Sequence, residues 1–360
     1  MKILFLIPYP LKESPSQRFR FEQYFLLLES NGYQSTVQSF FNSAEWTLFY
    51  SKGNAIKKFI ALLRGYLKRI VSLFNLGSYD YVFIHREVTP IGPPLFEWVI
   101  AKVFRKKIIF DFDDAIWLTD KENEHWITGM LRWRSKTASI CRWSYKISCG
   151  NAFLANYAKS FHDQVVINPT TIDTVHLHKR ELYSTIQNQS SEFVTIGWTG
   201  SHSTLKYLTL VESALQNLEQ RFPHLRFLII ADRQPDLSLS RLEFQPWNIQ
   251  TEISDLVKMD IGIMPLPDDL WSKGKCGFKA LQYMALQIPC VASPVGVNTE
   301  IIQQGVNGFL AASLSEWEEY LARLILYPDL RIKIGMAGFQ TVQKSYSVTS
   351  NEATFLSLFR

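Results

Sequence analysis

Residues 268–296 read DDLWSKGKCGFKALQYMALQIPCVASPVG, a loop followed by a helix and a strand. The loop at residues 273–279 combines glycines, which permit close backbone approach, with lysines, which supply positive charge. The helical run Phe278–Leu286 follows, and Pro289 ends it before the apolar strand 290–292. A helix N-terminus flanked by glycine and lysine favours the binding of a phosphate. Alternatively, the lysines only solvate the surface of a βα connection.

Four short motifs in and after this stretch occur in a fixed order. They read KALQYMA at 279–285, IPCVAS at 288–293, EII at 300–302 and GVNGFL at 305–310. Together they resemble the nucleotide-sugar site of family 4 glycosyltransferases (glycosyl transferases group 1) of the GT-B fold. The resemblance implies an α/β protein of two Rossmann-like, doubly wound parallel-sheet domains facing a cleft, with a C-terminal helix crossing back to the first domain. It also implies metal-independent, retaining transfer of a sugar from a nucleotide-diphosphate sugar to a hydroxyl acceptor.

The chain departs from this family at two acidic positions. The family commonly carries two glutamates separated by seven residues, and Gly274 and Gln282 stand in their places here. The Gln282 amide can still hydrogen-bond a ribose, because an amide both donates and accepts. Gly274 has no side chain, so recognition of the donor sugar differs or activity is lost. A nucleotide-sugar 2-epimerase and an inactive binding or scaffold protein of the same fold therefore remain alternatives.

Composition and length limit the class of protein. A chain of 360 residues with 47% hydrophobic and 20% charged residues is globular and long enough for two domains. We expect an N-terminal domain at 1–180 with a C-terminal helix at 345–360, a polar linker at Thr185–Glu192, and a nucleotide-sugar domain at 190–344. The apolar runs are too short to cross a bilayer, so a cytoplasmic protein is expected. The four cysteines lack the spacing of a zinc site or a disulfide framework.

Positive charge is concentrated in the first half. Residues 1–170 hold 22 lysines and arginines against 14 acidic residues, a net charge of +8, whereas the remainder has a net charge of −3. This asymmetry favours an anionic partner, such as a phospholipid surface on the inner face of the membrane or a phosphorylated acceptor. No sequence motif supports nucleic-acid binding. Residues 54–76 form a basic amphipathic pattern that can lie in a membrane interface, can pack its apolar side on the sheet, or can do both.

Apolar runs alternate with helical patterns, as in a doubly wound sheet. A helix is predicted at Gln17–Ser30. The predicted strands are Ile3–Ile7, Tyr33–Phe40, Tyr81–Ile84, Lys107–Phe110, Lys146–Ser148, Val165–Ile167, Phe193–Gly197, Leu225–Ala231, Asp260–Met264 and Cys290–Ala292. Parallel sheets bind ligands at the carboxyl ends of their strands, so the residues that follow each strand are the candidate site residues.

Charged residues cluster after three of the strands in the first half. Crowded carboxylates need cations, metal or substrate hydroxyls to offset their burial, although Asp111 or Asp114 can instead cap the following turn. The resemblance places Asp113 where the family has a histidine that contacts the donor sugar. The predicted catalytic residues are Asp113, His85 and Arg86, and the predicted acceptor-side residues are Ser16, Arg18, Arg20, Glu87 and Asp114.

The turn at 197–203 reads GWTGSHS and suits a diphosphate. Trp198 replaces the arginine that the family usually has there, so Lys275 and Lys279 are expected to carry the positive charge. The predicted donor-binding residues are Gly197, Trp198, Thr199, Gly200, Ser201, Lys275, Cys276, Gly277, Phe278, Lys279 and Gln282. The expected partners are a nucleotide sugar, a glycan or lipid-linked acceptor and an anionic membrane surface, with no cofactor and no metal.

Overall fold

A computed structural model describes residues 1–119, 126–183 and 192–360, and the chain forms two compact units. The first unit consists of Met1–Thr170, Gly274–Cys276 and Asn351–Arg360, and the second of Thr171–Lys273 and Gly277–Ser350. The units therefore divide after Thr170, whereas the sequence suggested a first domain that extends to residue 180. The predicted linker Thr185–Glu192 lies, apart from its last residue, outside the described residues.

The first unit is built on a six-stranded parallel sheet in the order β2-β1-β3-β4-β5-β6. Its strands are β1 Lys2–Ile7, β2 Gln34–Ser39, β3 Tyr81–His85, β4 Lys107–Phe112, β5 Lys146–Cys149 and β6 Val165–Ile167. Its first helices are α1 Pro15–Arg18, α2 Phe25–Ser30, α3 Ser43–Tyr50, α4 Ala55–Phe74, α5 Leu95–Trp98, α6 Trp126–Arg132, α7 Lys136–Trp143 and α8 Ala152–Lys159. All six predicted strands of this half are present.

The helix predicted at Gln17–Ser30 is interrupted. Helices α1 and α2 are separated by a 3-10 turn at Glu22–Tyr24, and the side chains of Phe19, Phe21 and Tyr24 are all buried. Residues at these positions do not share one face of a continuous helix. The backbone leaves the α-helical path, and in the structure all three rings lie in the core.

The alternative in which the apolar side of residues 54–76 packs on the sheet is wrong. The buried positions of α4 are Ala61, Gly65, Arg69 and Ser72. Its large apolar side chains from Ile56 to Phe74 are exposed, apart from the half-buried Leu62, Tyr66 and Leu73. A Cβ atom at Gly65 would clash with the ring of Phe40, so the helix approaches the sheet through its small residues. The helix thus turns its most apolar side outward.

The second unit has a second six-stranded parallel sheet, in the order β12-β11-β10-β7-β8-β9. Its strands are β7 Val194–Gly200, β8 Leu225–Ala231, β9 Leu242–Pro246, β10 Ile261–Met264, β11 Cys290–Ala292 and β12 Phe309–Leu310. Its helices are α9 His202–Leu205, α10 Glu212–Arg221, α11 Glu252–Leu256, α12 Leu270–Lys273, α13 Phe278–Ala285, α14 Asn298–Ile301, α15 Leu314–Leu326 and α16 Pro328–Thr341. Its core includes Trp198, Leu215, Phe227, Ile263 and Leu321.

The end of the chain belongs to the first unit. The last helix, α17 Glu352–Ser357, stacks Phe355 on Tyr24 with ring centres 4.2 Å apart. Phe359 lies 6.3 Å from Phe83 of β3 in the same core. In the part of the chain that the structure describes, no helix is both long and apolar enough to span a bilayer.

Candidate functional site

Arg86 and two carboxylates meet at the carboxyl ends of β3 and β4. Arg86 donates two hydrogen bonds to Oδ1 of Asp113, from Nε at 2.9 Å and from Nη2 at 2.7 Å. The same Nη2 donates to Oδ2 of Asp114 at 2.7 Å, and Lys275 donates to Oδ1 of Asp114 at 2.8 Å. The four side chains are partly buried, so these are charge-assisted hydrogen bonds with restricted contact to water.

The ion pairs keep this cluster charged. Burial alone lowers the pKa of Arg86, but Asp113 and Asp114 raise it well above its usual value. Burial raises the pKa of Asp114, yet Lys275 and Arg86 together hold that pKa below its usual range. The cluster therefore holds an ionised Asp114 carboxylate beside fixed cations, and groups with perturbed pKa values concentrate at functional sites.

The backbone of Arg86 lies in the left-handed region, with φ of 62°. A residue with a side chain adopts this conformation at a cost, and such strain concentrates at functional sites. The Arg86 backbone N–H donates to the carbonyl of Asp111 at 2.7 Å, which fixes the turn between the strand end and the guanidinium. The sequence gives no signal for this conformation.

His85 and Arg20 lie in a buried network around Asp111 and not in the cluster of Arg86, Asp113 and Asp114. Both side chains are fully buried with Asp111, which accepts from His85 Nδ1 at 2.8 Å and forms an ion pair with Arg20. Ser148 donates to the same carboxylate at 2.6 Å. Burial raises the pKa of Asp111, but Arg20 and His85 outweigh it and hold the pKa below its usual range. This network joins Arg20 to side chains of β3, β4 and β5, and its members are buried from solvent.

The remaining acceptor-side residues are dispersed. Ser16 lies 3.4 Å from Nε2 of His85, Arg18 packs its guanidinium over the ring of Phe19, and Glu87 forms an ion pair with Lys136 at 2.6 Å. Only Asp114 joins the cluster of Arg86 and Asp113. A residue that we did not predict, Tyr9 after β1, also lies beside Arg86 and Asp113. Its position in the first βα turn was the available signal.

The segment Gly274–Cys276 is held by Asn151, the residue that caps the N-terminus of α8. Asn151 Nδ2 donates to the carbonyls of Gly274 at 3.2 Å and Lys275 at 2.9 Å. Cys276 is buried, and burial raises the pKa of its thiol well above its usual value. Gly150 packs against it so closely that a Cβ atom there would clash with the sulfur. Of the predicted donor-binding residues in this segment, Lys275 is hydrogen-bonded to Asp114 of the first unit, and Cys276 is buried against Gly150.

In the second unit, the end of β7 meets the start of α13. Lys279 Nζ lies 5.4 Å from the centre of the Trp198 ring, and a Cβ atom at Gly200 would come within 2.9 Å of Lys279 Cε. Gly277, with φ of 68°, directly precedes the first residue of α13. A lysine at the beginning of a helix, beside a glycine turn, gives a concentrated positive potential suited to an anion.

Two further side chains of α13 contribute to this region: Gln282 is a candidate contact for a polar ligand, and Tyr283 holds the end of β7. The amide nitrogen of Gln282 is buried and has no hydrogen-bond partner among the described residues. Buried donors are seldom left unpaired, so a ligand acceptor would satisfy it. Tyr283 accepts a hydrogen bond from the backbone N–H of Thr199 at 3.0 Å, which fixes the end of β7 against this helix.

Among the described residues, neither the cluster around Arg86 nor the start of α13 has a set of side chains suited to a metal ion. Among residues 1–119, 126–183 and 192–360, no group of three or more His, Cys, Asp or Glu side chains has the arrangement of a metal site. The adjacent carboxylates of Asp113 and Asp114 both accept hydrogen bonds from Arg86, and Asp114 also accepts one from Lys275.

Comparison with known proteins places these observations in a family context. Residues 193–326 match the model of a family described as glycosyl transferases group 1. This match covers most of the second unit, including β7, α13 and Gln282. A search of curated protein sequences finds no match.

Solved structures resemble the whole chain at low sequence identity. Sucrose-phosphate synthase from Thermosynechococcus elongatus is 11% identical, with a TM-score of 0.68 over 100% of this chain and 98% of that one. A glycosyltransferase from Rickettsia africae is 16% identical, with a TM-score of 0.67 over 99% and 97%. HepE of Anabaena, in complex with UDP and glucose, is 13% identical, with a TM-score of 0.63 over 100% and 99%. These likenesses confirm the GT-B fold.

Proposed function

We propose that the protein uses a nucleotide-diphosphate sugar and transfers the sugar, with retention, to a hydroxyl of a glycan or lipid-linked acceptor. The premise is that the protein is a glycosyltransferase with a glycosyl transferases group 1 domain in residues 193–326. The observation that carries this proposal is the meeting of Lys279, Trp198 and Gly200 at the start of α13. The similar Anabaena structure holds UDP and glucose, which supports a nucleotide-sugar donor.

The second unit would bind the nucleotide part of the donor. Lys279 and the backbone N–H groups at the start of α13 would stabilise the diphosphate, whose negative charge grows as the glycosidic bond breaks. The amide nitrogen of Gln282, which has no hydrogen-bond partner among the described residues, would donate to a ribose hydroxyl. Gln282 would thus take over part of the role that a glutamate has in the resembling family.

The reaction would proceed with one bond made and one broken on the same face of the sugar. The acceptor oxygen forms a bond to the anomeric carbon while the bond from that carbon to the β-phosphate oxygen breaks. The acceptor proton passes to the departing phosphate, so no enzymic nucleophile is needed. The step needs a polar group to orient the sugar, and we assign this role to Asp113.

Asp113 is suited to that role by its hydrogen bonds. Both bonds from Arg86 end on Oδ1, and no other hydrogen bond to this carboxylate occurs among the described residues. Its Oδ2 would accept a substrate hydroxyl. Asp114 and Asp113 are already neutralised by protein cations, which supports catalysis without a metal ion.

The proposal is tested by binding and turnover together. Calorimetry with uridine, guanosine, adenosine and thymidine diphosphates should find one that binds. The Lys279→Ala variant should weaken that binding by roughly 1.5 to 3 kcal/mol, the scale of a charge-assisted hydrogen bond. Lys344→Ala removes an exposed lysine elsewhere in the second unit and should bind normally. The Gln282→Glu variant, which restores the family residue, should also bind.

Turnover separates the alternatives. Nucleotide sugars should release nucleoside diphosphate in the presence of acceptor, form a product with the donor's anomeric configuration, and do so in EDTA. Binding without release would identify a binding protein, and a free altered sugar without a glycoside would identify an epimerase. Activity that EDTA abolishes and manganese restores would give the carboxylates a metal role.

A further inference from the structure

Helix α4 carries an unusually exposed apolar stripe. Six large side chains recur at intervals of three or four residues along one side and are between 44% and 83% exposed: Ile56, Phe59, Leu63, Leu67, Ile70 and Phe74. This spacing places them on one helical face. The stripe runs over nineteen residues, whose eighteen rises of an α-helix give a length of about 27 Å. Such a surface on a soluble domain marks a site of interaction.

The opposite side of α4 fixes the helix in this orientation. Arg69 is buried and donates to the carbonyls of Ile7 at 2.7 Å, Gln38 at 2.8 Å and Val88 at 3.0 Å. Gly65 packs against Phe40 with no room for a side chain. Rotation of the helix to bury its apolar stripe would break these bonds. The outward orientation is therefore built into the fold of the first unit.

The charge of α4 is of one sign. The helix contains five lysines and arginines and no acidic residue. Lys57, Arg64 and Lys68 recur along one edge of the apolar stripe, and the acidic side chain that reaches this edge, Glu45, is mostly buried. Glu45 lies 3.9 Å from Arg64 and 3.7 Å from Lys68. An apolar stripe with a basic edge is the pattern of a helix that lies in a membrane interface.

We propose that α4 is an in-plane membrane anchor that binds an anionic phospholipid surface. The apolar stripe enters the boundary of the acyl chains, while Lys57 and Arg64 meet the lipid phosphates. The net charge of +8 over residues 1–170 adds long-range attraction to the same anionic surface. The anchor is open along its length, so a flat surface fits it better than a narrow ligand. A lipid-linked acceptor would then lie in the plane in which the enzyme is held.

Vesicle flotation with the intact protein tests the proposal, and it needs neither donor nor turnover. Wild-type protein should float with phosphatidylglycerol vesicles at low ionic strength, float weakly with phosphatidylcholine vesicles, and lose binding as salt rises. Phe59→Ser, Leu67→Ser and Phe74→Ser combined should reduce vesicle affinity by about tenfold or more, since apolar burial is lost. Lys57→Gln with Arg64→Gln should reduce it on phosphatidylglycerol alone.

A matched control changes exposed apolar residues elsewhere. Leu26→Ser, Leu182→Ser and Ile332→Ser remove side chains of similar exposure and should leave flotation intact. Circular dichroism should show each variant folded, because all the substituted residues are exposed. Wild type that ignores anionic vesicles, or equal loss in the control, would overturn the proposal. So would a dimer in sedimentation that the α4 triple variant converts to monomer without any vesicle binding, since the stripe would then cover a second copy. Failure of flotation leaves the proposed reaction untouched.

Discussion

Asp113 is the residue on which the proposed reaction depends most directly. Replacement of Asp113 by Asn should lower turnover by about a hundredfold while donor affinity changes far less, because a group that acts in the transition state affects the rate. Steady-state kinetics and calorimetry on the same variant measure the two effects. Asp163→Asn, at an exposed position of the first unit, is the control and should retain activity.

One pair of results would contradict the role proposed for Asp113. If Asp111→Asn abolished turnover in a folded protein while Asp113→Asn left turnover unchanged, Asp111 and not Asp113 would be the carboxylate that acts in the reaction. The structure argues against that outcome, since Asp111 is wholly buried in its bonds to Arg20, His85 and Ser148.

Asp111 should instead control stability at acid pH. Its pKa lies below its usual range in the folded protein, because Arg20 and His85 outweigh its burial. An unfolded aspartate titrates near a pKa of about 4, so this contribution is complete above about pH 4 to 5 and is lost as the pH falls towards the folded pKa. Urea unfolding at several pH values should show this decline.

The acid-dependent loss of stability in the wild type should be compared with that in two variants in which a carboxylate becomes an amide. In Asp111→Asn the acid-dependent decline should be smaller, but Arg20 is left buried and unpaired, which lowers stability at neutral pH by about 3 to 5 kcal/mol. Asp268→Asn changes an exposed carboxylate and should follow the wild type. An unaltered decline in Asp111→Asn would show that other groups cause the acid sensitivity.

Among the elements, those with strong local patterns were predicted and those that depend on distant partners were not. Runs of apolar residues predicted β8 and β11 with their observed limits. The strands β9 and β12 were missed as strands, because one is partly exposed and ends in proline and the other has two residues. Periodicity located α4, but it could not tell which side is buried.

The candidate site shows the same division. The residues after β3, β4 and β7 were predicted from the rule that ligands bind at strand ends. Their partners were not, because Arg20 reaches Asp111 across 91 positions of sequence and Lys275 reaches Asp114 across 161. Such pairings follow from the sheet order and from burial, which no local pattern reports.

The orientation of α4 depends on the absence of a side chain at Gly65. A Cβ atom there clashes with the buried ring of Phe40, so Gly65→Ala should lower the free energy of unfolding by about 1 to 3 kcal/mol, as overpacking does. Gly77→Ala is the control, since a Cβ atom at Gly77 meets nothing within 4 Å. Urea unfolding measures both. If Gly65→Ala were as stable as wild type, α4 would not pack through its small residues.

The first unit is completed by a segment that follows the second unit in sequence. Phe355 is buried and stacks on Tyr24, so Phe355→Ala should destabilise the first unit by about 3 to 5 kcal/mol through the cavity it leaves. Hydrogen exchange should then accelerate in β1 and β3, while β7 and β8, which belong to a separate core, remain protected. Leu215→Ala removes a buried side chain of the second core and should give the reverse pattern. Equal acceleration in both sheets from either substitution would mean that the two cores unfold as one cooperative unit. The segment Asn351–Arg360 would then affect the stability of the second unit as strongly as that of the first.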